Sequence, residues 1–73
     1  MPITPFLKGR AFRPEVLRNM GTAFVAVCQN LELNDGADRL HEVVAHKIIA
    51  LAEKGVSDPG ELRDRALEEI KAR

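Results

Sequence analysis

Few residues in this chain have types and spacing suited to chemistry. His41 and His46 stand five apart, with Glu42 between them. On a helix, five residues turn through about 140°, so the two imidazoles cannot close on one metal ion as an i, i+4 pair would. Glu42 and His46 do share a face, but two ligands leave a metal site incomplete. A solvent-side Glu–His pair explains them. His41 falls at the edge of an apolar stripe and reads as a half-buried packing residue. Cys28 is the single cysteine and lies on the apolar face of a predicted helix, where a thiol behaves as a small inert hydrophobe. A nucleophilic role would need a neighbouring base and electropositive surroundings, and the spacing does not require His41 to supply them. Ser57 and Thr22 have no arguable triad partners, and the scattered glycines form no phosphate-binding loop. The sequence predicts no catalytic residue, no metal, no cofactor and no enzymatic activity.

The elements that position these residues follow from length and pattern. The chain has 73 residues, enough for one domain with a modest core. A lone cysteine rules out an intramolecular disulfide and suits a reducing cytoplasm. Lysine plus arginine number 11 and aspartate plus glutamate number 11, so the formal net charge is zero. That balance argues against a strong general affinity for nucleic acid or anionic membrane. No apolar run approaches the roughly 20 residues of a membrane span. The opening MPITPFLKGRAF lacks the pattern of a signal peptide. The expectation is a cytoplasmic chain that is not exported.

Residues 1–12 read as an extended arm, since Pro2 and Pro5 resist helix. Residues 13–73 read as a single all-α domain, a compact three-helix bundle with no strands. The first helix starts near Arg13-Pro14-Glu15, with proline at the favoured first position. Arg13 offers no capping acceptor, but Phe12 and Leu17 have the spacing of a hydrophobic staple. Val16, Leu17, Met20, Ala23, Phe24, Val27, Cys28 and Leu31 make its buried face. LNDGAD is a loop by composition. A second helix runs from about Asp38 to Lys54, with a main stripe of Leu40, Val44, Ile48, Leu51 and Ala52. The third carries Leu62, Ala66 and Ile70 on a narrow stripe, with Leu67 beside it.

The stretch KGVSDPGE between the second and third helices invites comparison with the turn of a DNA-binding helix-turn-helix. Capping chemistry explains it more simply. Gly55 suits the left-handed residue that ends a helix, with Val56 packing back onto Leu51. Asp58 caps the next helix, Pro59 fills its first turn, and Glu61 completes a capping box. A carboxylate at that helix start would also oppose DNA, and the third helix is not basic.

Apolar excess points to an interaction surface. Phe6, Leu7, Val25, Val43 and Ile49 exceed what three short helices are expected to bury, which implies a partner: a second copy of the chain or another protein. Lys8, Arg10, Arg13 and Arg18 form a basic cluster near the arm and support an alternative, a nucleic-acid-associated regulator. Four cations without Tyr or Trp for base stacking make the weaker case, and nucleic acid is the less expected partner.

Two longer stretches, FRPEVLRNMGTAFVAVCQNLEL and VVAHKIIALAEKGVSDPGELRDRAL, resemble a family of small helical proteins found mainly in α-proteobacteria. The family pattern reads F-D-P-E, M-G-x-A-F-x-x-x-C and V-A-x-x-I-I-x-L-A-x-x-G-x-x-D-P-x-x-L-R. Phe12, Pro14, Glu15, Met20, Gly21, Ala23, Phe24, Cys28, Ile48, Ile49, Leu51, Ala52, Gly55, Asp58, Pro59 and Leu62 match it. Arg13 departs from the aspartate the pattern has at the first cap. The resemblance covers residues 12 to 68 and implies the helical fold. Its motif is built of core and cap residues and brings no activity, cofactor or site.

Overall fold

The computed structural model describes residue 7 and residues 11–34 and 36–72. Three α-helices follow in order, α1 (Pro14–Asn30), α2 (Asp38–Glu53) and α3 (Pro59–Lys71), with no strand among the described residues. Each helix packs against both others. The Cα radius of gyration is 11.0 Å, which is the roughly 11 Å a compact domain of this length should show. The helices therefore close on one core.

α1 begins where proline preorganises the backbone. Arg13 is its N-cap, in extended conformation and without a side-chain cap bond. Phe12 and Leu17, the staple pair, are both partly buried against the core. Met20, Ala23, Phe24 and Val27 are buried along one face, with Val16, Leu17, Cys28 and Leu31 partly buried beside them. This is the periodic stripe the sequence predicts.

α2 differs from its expected pattern most clearly in its first turn. Leu40, assigned to the main stripe, is 50% exposed, while His41 is only 7% exposed. The buried face is His41, Val44, Ala45, Ile48, Ile49, Leu51 and Ala52, rotated by one residue at the first turn. The cause is a specific polar partner. The Nδ1–H of His41 donates to the Ala37 carbonyl at 2.8 Å, so the ring can enter the core with that nitrogen satisfied. Its ring also meets Phe24 at 6.2 Å between centroids, tilted by 49°, within the range of favourable aromatic contacts. Periodicity ranked leucine over histidine on hydrophobicity alone, and the hydrogen bond reversed that order.

The corner between α2 and α3 is built as capping chemistry requires. Gly55 has φ +99°. Its N–H donates to Ala52 O at 3.0 Å, and the Val56 N–H donates to Leu51 O at 3.1 Å. These are the paired bonds of a Schellman motif. Asp58 Oδ2 accepts from the Glu61 N–H at 2.9 Å. The reciprocal half of the expected capping box is replaced: the Glu61 carboxylate pairs with Arg65 one turn on, at 2.8 Å.

Candidate functional site

The structure resolves the apolar excess differently from the sequence expectation. Ile49 is 0% exposed and Leu7 is 8% exposed, so both belong to the chain's own core and neither is a surface residue. Ile49 is buried because α1 and α3 both pack on α2, as each helix packs on both others, so side chains well off its main stripe are still covered. Leu7 fills the core from outside the helices. Val43 is partly buried, and Val25 is 44% exposed on α1. Phe6 lies outside the described residues. What remains outward is Val25 on α1, and Leu40 with Val43 on α2, at i, i+3 spacing and so on one side of that helix.

The Leu40–Val43 edge has charged neighbours. A shallow depression of about 250 Å³ is lined by Arg39, Glu42, Val43 and His46. Arg39, Glu42 and His46 are all exposed. The Glu–His face read from the sequence therefore lies in solvent. It borders an apolar residue and holds no set of ligands. Among the described residues no group of three or more His, Cys, Asp or Glu side chains is placed to hold a metal ion.

The remaining groups with chemical potential are dispersed. Cys28 is partly buried on α1, and burial pushes its thiol pKa up. The fold thus favours the neutral thiol. That stability is fully present below the unfolded thiol's pKa and declines as pH rises through the higher native value. A raised pKa opposes the thiolate a nucleophile needs. His41, the conceivable base, is engaged by Ala37 and Phe24. The Thr22 hydroxyl donates to Arg18 O at 3.1 Å. Ser57 contributes its backbone carbonyl, which accepts from Asn19 Nδ2 at 2.9 Å and ties the α2–α3 corner to α1.

A larger groove of about 590 Å³ runs beside that corner, with Leu51, Lys54, Val56, Glu61, Arg65 and Glu68 in its walls. Its size suits a small ligand, but ligand pockets are lined mainly by apolar side chains with a few converging polar groups. Here the walls are largely charged, and Glu61 and Arg65 pair with each other.

Of the basic cluster, Lys8 and Arg10 lie outside the described residues. Arg13 and Arg18 are both exposed, Arg13 as the extended N-cap of α1 and Arg18 within that helix.

Over the described residues the fold is a small all-α three-helix unit. Among the described residues no helix is long and apolar enough to cross a membrane. Compared with family models, with curated proteins and with solved structures, the chain matches none.

Proposed function

We propose that this protein is a small non-catalytic protein–protein interaction module of the cytoplasm, with a second copy of itself as the first partner to test. The observation that carries the reading is the pair of large apolar side chains that, among the described residues, are left in solvent, Val25 at 44% and Leu40 at 50% exposure, while the other large apolar residues are buried or partly buried. No buried side-chain nitrogen or oxygen lacks a hydrogen-bond partner among the described residues. The spare apolar surface faces outward. A single, partly buried thiol suits a reducing compartment. Kinship with the α-proteobacterial family rests on the shared core and cap motif and forms part of this proposal.

Light scattering over a range of concentrations, on the native chain and on Val25→Glu and Leu40→Glu, tests it. The expected outcome is a native assembly that one or both substitutions dissociate. Thermal stability should change little, because exposed substitutions away from special features stay within about 0.5 kcal/mol. A native chain that remains monomeric at high concentration removes the self-association claim. Variants that unfold would show that these side chains serve the monomer's own packing.

A further inference from the structure

We draw no further inference here: the strongest candidate, the exposed edge of α2 formed by Leu40 and Val43 beside Arg39 and His46, is an unpartnered apolar face, and nothing in the structure shows what covers it.

Discussion

The two corners of the bundle end their first helix in the same way and with different residues. After α2, the left-handed position is Gly55, φ +99°. After α1, it is Glu32, φ +55°. Both carry the paired Schellman bonds: Leu33 N–H donates to Cys28 O at 3.0 Å and Glu32 N–H to Gln29 O at 3.1 Å, matching the bonds made by Val56 and Gly55. The entries to the next helices differ as well. α3 has an Asp58 cap that accepts a hydrogen bond, whereas α2 starts from Ala37, which has no side chain able to cap. The α1–α2 corner is steadied from two other sources. Asn34 Oδ1 accepts from the Gly36 N–H at 2.9 Å, and the buried His41 ring reaches up to the Ala37 carbonyl. One corner is specified by its own residues. The other uses a non-glycine residue in left-handed backbone and is held by a side chain fixed in the tertiary core.

That contrast predicts which substitutions hurt each corner. The largest effect falls on His41→Ala, which removes a buried ring, its Phe24 contact and the bond to Ala37. A loss of about 2–3 kcal/mol is expected from urea denaturation. Gly55→Ala comes next. Open space surrounds a Cβ there, so the cost is backbone strain alone, about 1–2 kcal/mol. Gly21→Ala is its internal control. Gly21 is helical and a Cβ would also meet nothing within 4 Å, so the same exchange should stabilise by about 0.5–1 kcal/mol. Opposite signs for the two exchanges separate conformational need from packing, whereas matching signs would undo the assignment of Gly55. Asp58→Ala should cost about 1 kcal/mol through the lost cap. Glu32→Gly is the smallest change and should raise the melting temperature slightly. Relief of left-handed strain, about 1–2 kcal/mol, is largely offset by glycine's extra unfolded-state freedom, about 0.5–1 kcal/mol. No gain at Glu32 would mean that its side chain contributes to the corner.

Legibility in the sequence follows the same division. The α2–α3 corner was readable because Gly55, Asp58 and Pro59 each have a local backbone preference that acts whatever the rest of the chain does. The three helices and the α1 stripe were readable from periodicity for the same reason. The left-handed turn at Glu32 carried no local signal, since nothing about Glu32 favours positive φ. Composition marked LNDGAD as a loop, but the helix is turned by the residues just before it. His41 was placed at the edge of the stripe, and its near-complete burial depended on Phe24 and Ala37 arriving together. The proposed surface was the least readable part. Ile49 and Leu7 read as spare apolar residues in the sequence, and only the mutual packing of the three helices and a contribution from outside them show both to be core. Leu40, on the main stripe by periodicity, faces out.

The most direct test is amide hydrogen exchange on the native chain and on His41→Ala, read at Ala37 and Gly55. Each of these amides donates three residues back within its own corner, to Asn34 O and Ala52 O, at 3.0 Å. If His41 holds the α1–α2 corner, the protection of Ala37 should fall at least about tenfold more than that of Gly55, roughly 1.4 kcal/mol of local stability. Equal losses at both amides would contradict the account. They would mean that His41 supports the bundle as a whole and that the first corner, like the second, stands on its own residues.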